Sequence, residues 1–250
     1  MRTLTAMWLG CSLLVTGCSD GGGVEQDLGS DAAIKTPGIA VVRGTLKGGG
    51  ADGGADGDKA AHDGLVATIK PMVTAAGDTG HTVFLGLADP TAFLSVDAWS
   101  DLAAAHAVYA TPQFQQAFGS LFTGVPKIDF YVAAPGFLTY GTLKEATNGL
   151  PSFGFVVEGT LKDADPAKSA VAHNAVLEPN KAAAMALTDV AHVPYLAEGA
   201  SGTFFNVDIW LDAQKAQGFF QDPNVGAAFA GLFSVGPTVT PYAATDWVQW

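Results

Sequence analysis

The sequence predicts an α+β fold: two tandem ferredoxin-like β-α-β-β-α-β repeats packed sheet to sheet within one chain. Two observations lead there. The stretch Phe93-Leu94-Ser95-Val96-Asp97-Ala98-Trp99 recurs as Phe204-Phe205-Asn206-Val207-Asp208-Ile209-Trp210, each residue 111 positions further on. The same order of predicted elements surrounds both copies. Such a unit covers one face of its sheet with helices and leaves the other needing a partner, which here lies in the same chain.

Composition supports a folded body. Of 250 residues 48% are hydrophobic and 14% charged, enough for a sizeable core. Twelve basic residues against 24 acidic ones give a net charge of −12, which leaves no electrostatic footprint for nucleic acid.

Residues 1–17 read as a signal peptide. Arg2 supplies the basic start and Ala6 to Val15 a short apolar run. The following Val15-Thr16-Gly17-Cys18 resembles the bacterial lipobox, which implies lipidation of Cys18. Ser19 after the cysteine implies, by the same resemblance, the outer rather than the inner membrane. A Gly/Asp/Ser-rich tether spans residues 18–37. Cys11 leaves with the signal, so the body retains no cysteine for a disulfide, a thiolate nucleophile or a thiolate metal site.

The first repeat is assigned to 38–135. Ile39 to Leu46 is a β-branched strand. The Gly/Asp run Gly48 to Asp58 has neither the EF-hand nor the glycine-rich calcium spacing and reads as an insertion. A helix follows from Lys59 to Ala76, with Leu65, Val66, Ile69, Val73 and Ala76 on one stripe, His62 one turn earlier and Pro71 as a kink or break. Strands are expected at His81 to Leu87 and Phe93 to Trp99. A helix from Leu102 to Phe122 is interrupted near Thr111-Pro112, and Ile128 to Ala134 is the last strand. A linker, 136–151, leads into the second repeat, 152–250. There Gly44-Thr45-Leu46-Lys47 returns as Gly159-Thr160-Leu161-Lys162, and His62, His81, Asp97, Trp99 and Tyr131 return as His173, His192, Asp208, Trp210 and Tyr242.

Alternation gives the repeated strand two unlike faces. Leu94, Val96 and Ala98 suit a helix-covered core. Phe93, Ser95, Asp97 and Trp99 suit a wall facing the space between the sheets.

The segment from Asp97-Ala98-Trp99 through Thr111-Pro112-Gln113-Phe114 to Phe118 and Leu121-Phe122, matched in part by Asp208-Ile209-Trp210 and Asp222-Pro223, resembles the antibiotic-biosynthesis-monooxygenase-like superfamily. The resemblance implies the dimeric α+β barrel, here as an intramolecular pseudo-dimer and so a monomer. That superfamily includes cofactor-independent oxygenases, haem-degrading enzymes and members without an assigned activity.

The candidate catalytic set is Asp97, Asp208, His62, His173, His81 and His192. A carboxylate in a partly apolar cavity could have its basicity raised for acid/base work. The substrate-binding set is Trp99, Trp210, Tyr131, Tyr242, Phe93 and Phe204. A two-His, one-carboxylate metal site is the competing use of the His set, and plain structural packing is the other; no metal and no cofactor are assigned. Trp247 and Trp250 are expected to close the barrel or its rim. Two functions stand. One is a lipid-anchored, periplasm-facing or surface protein binding a small apolar or aromatic molecule in the barrel, as a cofactor-independent monooxygenase. The other is a non-catalytic binding or scaffold lipoprotein with a filled barrel.

Overall fold

The computed structural model describes residues 35–48, 55–148 and 151–250. The signal segment, Cys18, nearly all of the tether and the centre of the Gly/Asp run lie outside the described residues.

Eight strands close into an antiparallel barrel. They are β1 (Gly38–Thr45), β2 (Asp78–Gly86), β3 (Ala92–Trp99), β4 (Lys127–Ala133), β5 (Phe153–Thr160), β6 (Asp189–Ala197), β7 (Ala200–Trp210) and β8 (Thr238–Ala244). Their order around the barrel is β1-β3-β2-β8-β5-β7-β6-β4. The first four strands thus run 4-1-3-2 and the last four 8-5-7-6. The two sets join edge to edge through β2–β8 and β4–β6, so hydrogen bonds cross both seams. Closure leaves no strand edge unpaired, which removes the usual site of edge-to-edge aggregation.

Among the described residues six α-helices lie outside the barrel. The first, α1 (Ala55–Ala76), continues through Pro71 as one helix, where a break or kink is the expectation from the sequence. The segment after β3 is two helices, α2 (Leu102–Tyr109) and α3 (Pro112–Gly119). Thr111 separates them because its hydroxyl caps α3 at the Phe114 N–H and Pro112 fits the first helical turn. In the second half α4 (Pro166–Ala186), α5 (Ala213–Gln221) and α6 (Pro223–Ala230) follow the same plan, with Asp165, Asp212 and Asp222 as caps.

The two sheet faces carry different cores. Inside the barrel Ile39, Val41, Leu94 and Val96 meet Val156, Phe205, Val207 and Ile209, with Tyr131 stacked on Phe205 at 4.8 Å. Each large side chain fully buried there contributes about 2–3 kcal/mol. Outside, Val42, Val83, Phe93 and Trp99 pack beneath α1, α2 and α3. This reverses the orientation expected from the strand pattern. The all-apolar face of β3 fills the lumen, and the face with Asp97 and Trp99 lies under the helices. Asp208, Trp210 and Phe204 are reversed likewise. An unpaired polar group is costly in a closed interior, so the all-apolar face of β3 turns inward, and the charged Arg43, Asp129 and Glu158 enter the lumen as partners of one another.

Arg43 sits on the lumen side of β1. It pairs with Asp129 at 2.8 Å and with Glu158 of β5 at 2.6 Å, and lies over the Phe205 ring. The repeated Gly44 and Gly159 have a plain cause. A Cβ there would come within 2.4 Å of Phe122 and 2.6 Å of Phe233 respectively.

One position is strained. Gly77 (φ 115°) links α1 to β2, and its counterpart between α4 and β6 is Thr188, at φ 82°. A β-branched residue pays for that region, and the buried Thr188 hydroxyl finds no partner among the described residues. Thr188→Gly is expected to stabilise the protein by about 1 kcal/mol, read from the urea midpoint at an unchanged slope. A destabilised variant would show that the Thr188 side chain contributes more than its backbone costs.

Candidate functional site

A buried chain of side chains lies between sheet and helices in each half. In the first, His62 from α1 reaches down to His81 on β2, and the two Nε2 atoms are 3.2 Å apart. The other nitrogen of His81, Nδ1, makes a short contact with Asp97 on β3. Register explains the meeting, since His81 and Asp97 are direct cross-strand neighbours. The second oxygen of Asp97 accepts from Tyr109 of α2 at 2.5 Å and from Ser95 at 3.2 Å. The far nitrogen of His62 faces Asp63 at 3.0 Å.

The second half repeats the arrangement with different ends. His173 and His192 are again 3.2 Å apart, and His192 Nδ1 lies 2.5 Å from Asp208. Asn206 donates to the other Asp208 oxygen at 2.9 Å, and His173 Nδ1 faces Asn174 at 3.1 Å.

Counting donors assigns the protons. Asp63 accepts from the Val248 N–H at 2.8 Å and from Lys59 at 2.9 Å. Partial burial pushes its carboxyl up, but Val248, His62 and Lys59 together hold it below the ordinary carboxylate range. It is therefore an acceptor, and His62 Nδ1 must carry the hydrogen. Burial lowers His62 to about 4, so at neutral pH its Nε2 is bare and accepts. His81 then donates from Nε2. The hydroxyls of Tyr109 and Ser95 both donate to the other Asp97 oxygen. One more hydrogen lies in the short contact between His81 Nδ1 and Asp97, so the pair together holds one proton more than a neutral imidazole and a carboxylate. In the second half the Leu138 N–H onto Asn174 Oδ1 (2.6 Å) and Asn174 Nδ2 onto the Gly136 carbonyl (2.9 Å) fix the amide. His173, lowered to about 4 by burial and by His192, is again neutral with its hydrogen on Nδ1.

Two straps seal these sites, and each comes from the other half of the barrel. After β8 the tail sets Trp247 tilted against His62 (5.0 Å) and stacks Trp250 on His81 (4.8 Å). After β4 the connector sets Phe137 tilted against His173 (4.9 Å) and stacks Tyr140 on His192 (5.7 Å). Backbone pairs of Trp250 with His81 and of Tyr140 with His192 extend β2 and β6. Lys70 lies over the Trp250 ring and Lys181 over Tyr140. Trp247 and Trp250 thus cover a helix-side site, not the barrel rim.

A second acid accompanies each pair. Asp78 is raised to about 7 by burial and by the nearby Asp97 charge. Asp189 is raised to about 8 by burial and Asp208, and accepts from Tyr140 at 2.5 Å. A cavity of about 20 Å³ touches Asp78, His81, Asp97, Trp99 and Tyr109, where the Trp99 indole N–H finds no acceptor in good hydrogen-bond geometry among the described residues. Its counterpart beside His192 and Asp208 has about 10 Å³. The first has room for about one water.

The structure brings together His62, His81, Asp97 and Trp99, and likewise His173, His192 and Asp208. Phe93 and Phe204 pack against His62 and His173. Tyr131 and Tyr242 do not belong to this set, since they lie with the lumen core on the opposite sheet face. The two histidines and the carboxylate form a line rather than converging on a point, because Asp97 occupies the nitrogen of His81 that faces away from His62. No group of three or more possible metal ligands occurs among the described residues. A haem does not fit either cavity, and every nitrogen of the four histidines already faces a partner. Sequence reasoning missed Tyr109, Asp63 with Asn174, Ser95 with Asn206, and Tyr140. The available signals were that Asp63 and Asn174 follow the repeated histidines, and that Phe137 and Tyr140 have the spacing of Trp247 and Trp250.

No protein-family model and no curated protein matches the chain. Solved structures do. A protein described as a candidate monooxygenase from Fusobacterium nucleatum aligns with TM-score 0.57 and 10% identity, over 86% of this chain and 98% of its own. Another so described, from Lactobacillus acidophilus, gives 0.55 and 10% over 86% and 94%. An anthrone oxidase-like protein gives 0.54 and 16% over 87% and 94%. The chain therefore shares the closed α+β barrel of monooxygenase-like proteins.

The shifted groups have opposite pH signatures. Asp78 and Asp189, raised from 3.8 to about 7 and 8, stabilise the fold at low pH and lose that contribution as pH climbs to those values. His62 and His173, lowered from 6.5 to about 4, add stability as pH rises over that range. The two effects oppose each other up to pH 6.5, and only the loss continues above it. The thermal midpoint of Asp78→Asn/Asp189→Asn, minus that of the parent, is expected to rise between pH 6.5 and 8. A flat difference would refute the shared burial of these acids.

Proposed function

We propose that this is a lipid-anchored cell-envelope protein that binds a small, largely apolar or aromatic molecule beneath the helices, with a monooxygenase-like reaction in the first site. The observation that carries the reading is the buried His81–Asp97 pair beside a water-sized cavity, where the Trp99 indole N–H finds no acceptor in good geometry among the described residues. A buried polar pair is poor evidence of stabilisation, because its desolvation is costly. Its chemical use is to hold one proton where a bound molecule can give or take one. An oxygen atom on an aromatic ligand would accept from Trp99 Nε1. Removal of a proton from such a ligand is the step that opens cofactor-independent oxygenation. Access requires the 245–250 tail to lift, because Trp247 and Trp250 cover the histidines. The similar halves also support descent by duplication of one ferredoxin-like unit.

A second reading, a binding or scaffold protein without chemistry, is favoured by the packing. The lumen is filled and the cavities hold about one water or less.

Titration with hydroxylated polycyclic aromatics, followed by tryptophan fluorescence and oxygen consumption, separates the two. Trp250→Ala is expected to tighten binding several-fold by removing the competing ring. Asp97→Asn is expected to retain binding and lose oxygen uptake. Binding without uptake in the parent would leave the scaffold reading; no binding by parent or variant would sink both. For the anchor, Cys18→Ala is expected to move the protein from the detergent to the aqueous phase in Triton X-114 partition. A parent already in the aqueous phase would refute lipidation.

A further inference from the structure

We propose that Asp63 ends a proton-conducting chain in the first site and that Asn174 blocks the corresponding chain in the second. Only the first half can then pass a proton between its buried His–Asp pair and solvent.

The first chain is continuous. Tyr109, Asp97, His81, His62 and Asp63 follow one another with no gap above 3.2 Å. Its inner members are buried, whereas the Asp63 side chain is 23% exposed and paired with Lys59, itself 31% exposed. The chain therefore opens to water at Asp63. The transfer balances. The His81 Nε2–H bond breaks and an N–H bond forms on His62 Nε2. The His62 Nδ1–H bond breaks and an O–H bond forms on Asp63 Oδ1, from which water takes the proton. His81 keeps only the hydrogen on its Nδ1 side, shared with Asp97. His62 is left as the other tautomer, now donating from Nε2 to the bare His81 Nε2. The contact between the two rings survives with its direction reversed, so the reverse passage uses the same atoms.

The second chain stops at an amide. His173 Nδ1–H points at Asn174 Oδ1, and accepting that proton would create an O-protonated amide, a far stronger acid than imidazolium. Asn174 cannot turn to offer anything else, because Leu138 N–H and the Gly136 carbonyl hold both of its ends. The inner end differs as well. Asn206 replaces the hydroxyl donors on the carboxylate, and the place of Tyr109 is taken by Phe220. Lys59, the partner of Asp63, has Ala170 in the corresponding place, and the remaining charged neighbours match. Asp78 stands near Asp97 and Asp189 near Asp208, while Lys70 and Lys181 lie over the strap rings.

The test needs no substrate, so its failure is distinct from failure of the proposed reaction. Hydrogen exchange of the imidazole N–H groups is measured by NMR on the 15N-labelled full chain. The backbone amides of Trp250 and Tyr140 are followed alongside as reporters of strap opening. His62 and His81 are expected to exchange about tenfold or more faster than His173 and His192. Asp63→Asn, whose Oδ1 can still accept the Val248 N–H, is expected to slow the first site to the rate of the second. Asn174→Asp is expected to speed the second. Equal rates in the two sites would overturn the proposal, as would fast first-site exchange that survives Asp63→Asn. So would imidazole exchange that merely follows the strap amides. If Asp63→Asn fails to fold, Asn174→Asp decides alone, and no gain in the second site overturns the proposal.

Discussion

The constraint behind this architecture is the need to pair the edges of two short sheets. An open four-stranded sheet exposes a row of N–H and C=O groups along each outer strand. Here β2 bonds to β8 and β4 to β6, and the barrel closes. Closure isolates the inner faces from water, so those faces are filled mainly by apolar side chains and their charged groups are paired. It also decides where the chain goes after β8 and β4. Each segment continues alongside the strand it has just met and crosses the other half's histidines. The straps therefore follow from the seams, and the sealed sites follow from the straps.

With the interior filled, the strand carboxylates Asp97 and Asp208 lie under the helices, where an unpaired charge is costly. Asp97 and Asp208 are held there by cross-strand histidines, and those histidines by a second pair on α1 and α4. Each link fixes the tautomer of the next. A change at the outermost residue, Asp63 or Asn174, thus reaches the buried carboxylate through hydrogen bonds alone.

Two similar halves on one chain can differ where two identical subunits cannot. Arg43 and Glu158, which precede the matched Gly-Thr-Leu-Lys segments, face each other across the lumen. In a symmetric dimer like would meet like at such a place. A single chain can set a cation against an anion there. Gly77 against Thr188, and Tyr109 against Phe220, are further differences of this kind.

Much of the fold was legible in the sequence, since hydrophobic periodicity, Asp and Thr caps before prolines, and the 111-residue recurrence are local or pairwise signals. The recurrence also picked out His62, His81, Asp97 and their partners. Alternation along Phe93 to Trp99 established that the strand has two unlike faces, but period two carries no sign. Which face turned inward depended on closure, a property of all eight strands together. Tyr109, Tyr140 and Trp250 were not legible as site residues for a related reason. They reach the histidines from α2, from a connector and from a tail, and only three-dimensional packing brings those segments to one place. The sequence by itself determined the elements, the repeat and the identity of the His–Asp groups. The tertiary structure alone decided that those groups lie outside the barrel, in a line, beneath aromatic straps.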